Sequence, residues 1–507
     1  MRELRLVPGA ATAWLAVIAV LLGGRGWTIF IIAAVVGCCL IARQWGQALF
    51  SGMVATAAAL VAAVRQARAA AFDLGTEVTG RLTTAPTQTS TGGWLLRLKV
   101  PGYPTQLPVF SSEPVPAAAG AELTARVEVR ESDRAGVGKL SATATDVQVT
   151  GEPEGLAGWA AHVSDTFRAL VVDTLGPSSQ GLIPGMVLGD TSLQSSSERD
   201  LYIITGLSHL SAVSGANVAI VCSAAAMVCA AFALGPRARV AASLCALATY
   251  VVLVGFEPSV QRAAVAGLVG LLAVLNSTRM EPIHALSLGI IALLFVDSDL
   301  AVHFGFALSC AATLGIVALS PLIYKHLATT GWPAIFLRAV AVAIAADIVT
   351  LPLVALMSGE VSVVSVLANI LVEPATVPIT IVGLIAAVFA QLGPLDVLGA
   401  GLLRLIEPFS WWINTIAHGV AHLPVVTIPA SPLFTLLAYA WIIAGLLYHR
   451  PWLTLALTLA GIASALGGVA DVVAAVLLGW TLLGGLSALN GWVLAASGAL
   501  PEAWQAM

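Results

Sequence analysis

Apolar residues run along most of this chain in stretches whose length suits a bilayer better than a globular core. The runs 10–22, 27–42, 49–64, 203–234, 240–254 and 339–357 are nearly free of charge. About 20 such residues suffice for a helix to cross the hydrocarbon layer. By that criterion the region from 203 to 489 holds roughly ten apolar segments, punctuated by breaks at 235–237, 276–279, 331–333, 393–396 and 450–451. Between 73 and 153 the texture changes to short alternating runs. Leu123, Ala125, Val127 and Val129 fall on one face and Arg126, Glu128 and Arg130 on the other, the period of a half-buried strand. Similar segments at 77–82, 94–100, 106–110 and 139–149 make five strands, which predicts a small closed barrel of the OB type. From 155 to 175, Trp159, Val163, Phe167, Leu170 and Val171 recur at helical spacing with Asp165, Arg168 and Asp173 between them. That pattern predicts an amphipathic helix at the membrane interface.

The expected fold is therefore a polytopic α-helical membrane protein, with a small all-β, OB-like extramembrane domain inserted after the first helices. Five parts follow: amino-terminal helices at 1–70, the barrel at 73–153, an amphipathic helix and connector at 155–200, a helical core at 201–390, and further membrane helices at 391–507.

Composition strengthens this reading. Of 507 residues 58% are hydrophobic and 10% charged, against about a quarter charged in soluble domains. Mean hydropathy is +0.94. The 47 glycines suit helices that pack through small residues. The run 10–22 is followed at once by another, which reads as a retained anchor and not a cleaved signal. Cys38, Cys39, Cys222, Cys229, Cys245 and Cys310 lie in apolar stretches without metal-ligand spacing, so they read as small buried hydrophobes. A net charge of −4 gives no overall signature of nucleic-acid binding. Within the mildly acidic barrel, Trp94, Tyr103 and Phe110 are the candidate base-stacking residues; a purely structural barrel is at least as good a reading. Arg65 and Arg68 put the end of the third run on the cytoplasmic side, which opposes an outside barrel if the amino terminus is inside and all three runs cross.

Polar residues inside the apolar core are costly and so are functional candidates. Asp190 precedes the densest cluster, 205–217, which carries His209, Ser214, Gly215 and Asn217. A helix through this cluster is expected to break at Ser214-Gly215, with freed backbone groups facing protein or water. Pro258, Ser259 and Arg262 form a second cluster, where Glu257 could pair with Arg262 or point into an aqueous path. His303, Gly305, Phe306 and Ser309 form a third, and Asp347, Thr350, Pro352, Glu360, Asn369 and Glu373 a fourth. Singly, each has a packing explanation. Together they outline a hydrated seam through a helical bundle, which moving a charged solute requires.

These clusters resemble, in order, the four signatures of the ComEC competence family. The first is a Gly-Asp followed by Gly206-Leu207, His209-Leu210 and Ser214-Gly215, with one residue more than the pattern before the serine. The second is Gly255 to Arg262, the third Gly305 to Ser309, and the fourth Leu351-Pro352 with Ser365, Asn369 and Pro374. The resemblance implies a multi-pass channel in the bacterial inner membrane that carries single-stranded DNA into the cytoplasm during transformation. Asp190, His209, Ser214, Gly215, Asn217, Pro258, Ser259, Arg262, Gly305, Phe306, Ser309 and Asn369 would then line or shape the passage, with Arg262 contacting phosphate. It also implies partners: membrane lipid, a DNA receptor, a cytoplasmic translocase, a separate nuclease and further copies of the chain. No cofactor is called for.

Many family members carry a metallo-β-lactamase-like domain, whereas the eight histidines here contain no His-x-His-x-Asp-His run. The expected form lacks that domain and is a transport channel, not an enzyme. Two alternatives stand beside it. One is a transporter of another solute on the same scaffold. The other is an intramembrane hydrolase using His209 and Ser214, which lie about 140° apart around a regular helix and lack an acid partner. His418 and His422 share a helix face, but with no third ligand they read as an interfacial pair.

Overall fold

The computed structural model describes residues 5–447 apart from 90–91, 212, 214, 256, 276–280 and 424–425. Ser214, the break at 276–279 and the apolar runs beyond 447 lie outside the described residues. The chain opens with α1 (Val7–Leu21), α2 (Arg25–Ile41) and α3 (Trp45–Ala70). Helices α1 and α3 carry Ala13, Ala16, Ala55, Ala58 and Ala62, all fully buried, a small-residue seam that lets two backbones approach. Elsewhere α2 and α3 expose Ile29, Phe30, Ile41, Leu49, Met53 and Leu60. A contiguous apolar surface of that kind suits lipid and not water.

Next come β1 (Glu77–Leu82), β2 (Thr87–Gln88), β3 (Trp94–Lys99), β4 (Gln106–Ser111), β5 (Glu122–Glu131) and β6 (Leu140–Gly151). Strand β1 pairs with both β3 and β5, β3 with β4, β4 with β6, and β6 with β5. The sheet therefore closes into a five-stranded barrel with β2 appended at β3. Only the β4–β6 pairing is parallel, and the resulting order is that of the OB fold. Alternation builds the core: Leu96, Leu98, Leu107, Val109, Leu123 and Ala125 point inward and are fully buried. A register shift between Arg126 and Val127 bends the long β5–β6 ladder enough for closure. The strand expectations from alternation match these elements closely; two-residue β2 is too short to leave a period.

The helical part follows: α4 (Gly155–Thr174), α5 (Pro177–Gln180), α6 (Leu182–Leu188), α7 (Ser196–Ile204), a 3-10 turn (Ser208–Ser211), α8 (Gly215–Ala231), α9 (Pro236–Val254), α10 (Pro258–Leu275) and α11 (Pro282–Val296). A second 3-10 turn (Ser298–Val302) leads to α12 (Phe304–Leu327), α13 (Ala334–Ser358), β7 (Glu360–Ser362), α14 (Ser365–Phe389), α15 (Asp396–Ala421), β8 (Thr427–Pro429) and α16 (Pro432–Leu447). Among the described residues five helices, α3, α9, α12, α13 and α14, are long and apolar enough to cross a membrane. This is a multi-pass membrane protein with a small β-barrel. Helix α4 is docked on the bundle: Phe167 and Val171 are fully buried in one cluster with α6, α14 and α15, while Leu156 and Trp159 stay exposed.

A compact joint ties the barrel to the helices. The Asp299 carboxylate accepts from the Val137 amide at 2.6 Å and from the Thr105 hydroxyl. Asp297 caps the same 3-10 turn through the Asp299 amide, and Trp14 Nε1 donates to the Ala301 carbonyl at 2.8 Å. Arg65 donates to the Phe295 and Val296 carbonyls and to Ser298 Oγ. It caps the C-terminus of α11, where exposed carbonyls favour a cation. Its position therefore has a local structural cause, and its use as a marker of the cytoplasmic side loses force. Burial, then the neighbouring Asp299, pushes the Asp297 carboxyl up. Burial, then Asp299, also raises Tyr103. With 6% of its surface exposed and its ring against Phe72, Tyr103 faces this joint and is not available as a base-stacking residue.

Candidate functional site

The first cluster begins at α7, whose N-terminus is closed by a capping box between Ser195 and Glu198, the arrangement that satisfies two orphan amides at once. Helix α7 stops at Ile204, and Gly206 takes a left-handed conformation, φ +74°. Leu207 and Leu210 anchor the following turn in the core, at 0% and 7% exposure. His209 sits between them with the opposite character. Its residue surface stays exposed. Helix α8 begins at Gly215, with the 3-10 turn Ser208–Ser211 between it and the end of α7 at Ile204; Ser214, where the break is expected from sequence, lies outside the described residues.

What surrounds the restart comes from other signatures. Pro258 opens α10, where its missing amide costs nothing. Ser259 Oγ donates to the Val213 carbonyl at 3.0 Å and so satisfies a group freed by the break, as a low-dielectric setting demands. One turn later Arg262 is 9% exposed. Its Nε donates to Ser309 Oγ at 2.7 Å, and a Cβ added at Gly215 would stand 3.1 Å from its Nη2. Gly215 thus makes room for the guanidinium. Arg262, Ser309, Gly215 and Ser259 converge on one point from α10, α12 and α8. Among the described residues no carboxylate pairs with Arg262, so the pairing with Glu257 considered from sequence is not formed.

Other candidates act as fasteners. Asn217 Nδ2 donates to the Met186 carbonyl at 2.9 Å, and Tyr250 OH to the Val187 carbonyl at 3.2 Å. Together they satisfy end carbonyls of α6 and hold α8 and α9 to it. Asp190 accepts from Arg168 Nε at 2.7 Å and from the Ser192 amide at 3.0 Å, pinning α4. Gly305 donates its amide to His303 Nδ1 at 3.1 Å, an N-cap that requires Nδ1 to be unprotonated. Burial, then Arg97, lowers the His303 pKa, with Asp299 opposing. Phe306 is fully buried and packs on Trp14 with ring centroids 5.1 Å apart. It shapes the bundle and does not line an open path.

The fourth segment meets the first at a different place. Ser365 Oγ donates to Asp347 Oδ1 at 2.9 Å, and a Cβ on Gly206 would sit 2.6 Å from Ser365 Cβ. Asn369, half-buried on α14, hydrogen bonds to nothing among the described residues and is not drawn into the Arg262 cluster. His418 Nδ1 bonds the Asn414 carbonyl. His418 also borders a cavity of about 420 Å³ shared with Ser197, Glu198, Asp200, Leu201 and Ile204. Among the described residues no group of three or more His, Cys, Asp or Glu side chains is placed to hold a metal.

Sequence reasoning missed Tyr250, Arg168 and the Asp299 joint. Tyr250 offered a signal, since a tyrosine hydroxyl inside an apolar helix needs a partner. Asp299 offered none, because its partners lie more than 150 residues away.

A family model described as "Competence protein" matches residues 186–450, just over half of the chain. The chain is also 27% identical over 290 residues to the ComE operon protein 3 of Bacillus subtilis (strain 168), covering 56% of this chain and 36% of that protein. The matched region thus spans about a third of the relative's length. No solved structure matches.

Proposed function

The chain belongs to the ComEC family of competence proteins, and on that premise we propose that it forms a hydrated path for single-stranded DNA across the bacterial inner membrane during transformation. The observation that carries the reading is the Arg262 cluster. A guanidinium inside an apolar bundle is expensive, and here it is held by a hydroxyl and a glycine notch, with no carboxylate among the described residues to neutralise it. Such a group has its charge available to a passing polyanion, and its planar fork of donors matches phosphate oxygens. The exposed His209, six residues before Gly215 in the chain, is in keeping with that reading. Positioning of this kind needs no bond-making chemistry. The remaining partners expected from sequence, a receptor that delivers DNA, a translocase that pulls it and a nuclease that removes the other strand, belong to the same reading.

The test is import of labelled DNA by cells carrying Arg262→Gln, with surface-bound and cytosolic label measured separately and protein level checked. Loss of phosphate contact worth about 1.4 kcal/mol corresponds to roughly tenfold. The expected outcome is at least that drop in cytosolic label with surface binding unchanged, and partial recovery in Arg262→Lys. Wild-type import by Arg262→Gln would remove the reading.

A further inference from the structure

The contact between the fourth segment and the first holds a carboxylate that the Arg262 cluster does not use. Asp347 lies at the middle of α13, half-buried, among apolar neighbours: Ala345, Ile348 and Leu351 are all buried beside it. A charge at such depth is costly, and intramembrane carboxylates are default candidates for carrying protons. No lysine, arginine or histidine among the described residues forms an ion pair with it. Helix α13 packs against α12, α14, α16 and β7. From α16, Tyr439 lies within electrostatic reach. From α14, the facing group is Ser365, with Glu373 two turns further on. The titratable groups at the end of α12 include Tyr324, which sits under Arg338, about 13 Å along α13 from Asp347 at 1.5 Å per residue. Glu360 of β7 lies beyond the end of the helix and is exposed.

Ser365 has one hydroxyl proton and two acceptors, Asp347 Oδ1 at 2.9 Å and the Ser362 carbonyl at 3.1 Å. An ionised Asp347 can only accept, and so draws that proton. A protonated Asp347 can donate to Ser365 Oγ, which frees the serine to donate to Ser362. The two protonation states therefore select two hydrogen-bond patterns. Gly206 lies directly on this pair: a Cβ there would be 2.6 Å from Ser365 Cβ and 3.7 Å from Ser362 Cβ. Gly206 also belongs to the connection from α7 to the 3-10 turn that carries His209.

From this we propose that Asp347 is a proton-binding site coupled, through Ser365 and Gly206, to the turn that carries His209. Taking up a proton from water at Asp347 reverses the Asp347–Ser365 bond and resets that turn. On the reading of this chain as a DNA path, the site ties proton binding to opening of the path.

The test needs no DNA, so its failure is distinct from failure of the import reading. Hydrogen exchange of segment 205–211 is followed in the purified full chain, in lipid nanodiscs, between about pH 5 and about pH 8, which brackets the range of buried carboxylates. The wild type should show a several-fold change in exchange across that range. Asp347→Asn should hold the low-pH rate throughout, and Asp347→Glu should restore the dependence. Ser365→Ala, which leaves the carboxylate but removes the relay, should also lose it, and carries the test if Asp347→Asn does not fold. A wild-type pH response in Asp347→Asn or in Ser365→Ala would overturn the proposal, as would a wild type with no response.

Discussion

Two glycines show how single residues set the distances at the centre of this bundle. Gly206 combines φ +74° with a Cβ direction that runs into Ser365. Gly37, in α2, has ordinary helical geometry, and a methyl group there would meet nothing within 4 Å. Gly206→Ala should therefore lower stability by about 1–3 kcal/mol through strain and overpacking. Gly37→Ala should be neutral or slightly stabilising through helix propensity. Thermal unfolding of both variants in detergent checks the pair; equal melting temperatures would contradict the close approach. At this scale the sequence was partly readable. Arg262, Ser309 and Gly215 stood out because polar groups and glycines are conspicuous in apolar helices. Which of them point at one another was not readable, because helical spacing leaves rotation and partner unspecified. Phe306 and Asn217 illustrate this: both belong to signature segments, yet one is dry packing against Trp14 and the other a clip on α6.

Elements divide the same way. The barrel strands announced themselves through alternation, which survives wherever one face is buried. The break at 235–237 likewise marked the boundary between α8 and α9. The joint between barrel and helices left no local trace, since Asp299 reaches Thr105 and Val137 across 194 and 162 residues. This joint can be tested by itself, because the barrel strands are held to one another by their own ladders. Asp299→Ala should speed hydrogen exchange at the Val137 amide and across turn 298–302 while β3, β5 and β6 keep their protection. Loss of protection throughout the barrel, or no change at Val137, would contradict the assignment of Asp299 as the fastener.

Over the whole molecule, segments far apart in sequence meet at two polar points. At one, α8, α10 and α12 surround Arg262. At the other, α13 and α14 meet the turn after α7 at Asp347 and Ser365. The outer surface is the reverse, with large apolar side chains such as Ile29, Phe30, Met227 and Ile335 turned outward. An apolar exterior inverts the soluble-protein pattern, and polar points enclosed within it are what a solute path through lipid requires. Composition made the inversion legible; the places where it concentrates needed the fold. The direct measurement is thiol labelling by a charged, membrane-impermeant reagent, in a background with all six native cysteines replaced. Single cysteines are placed at His209, Ser309 and Phe306, and at Thr143 on the exposed barrel surface. A water-filled route has cysteine react at 209 and 309 as it does at 143, slow down when single-stranded oligonucleotide is added, and stay silent at 306. Reaction at 143 alone would mean that the interior is dry and that no such route exists.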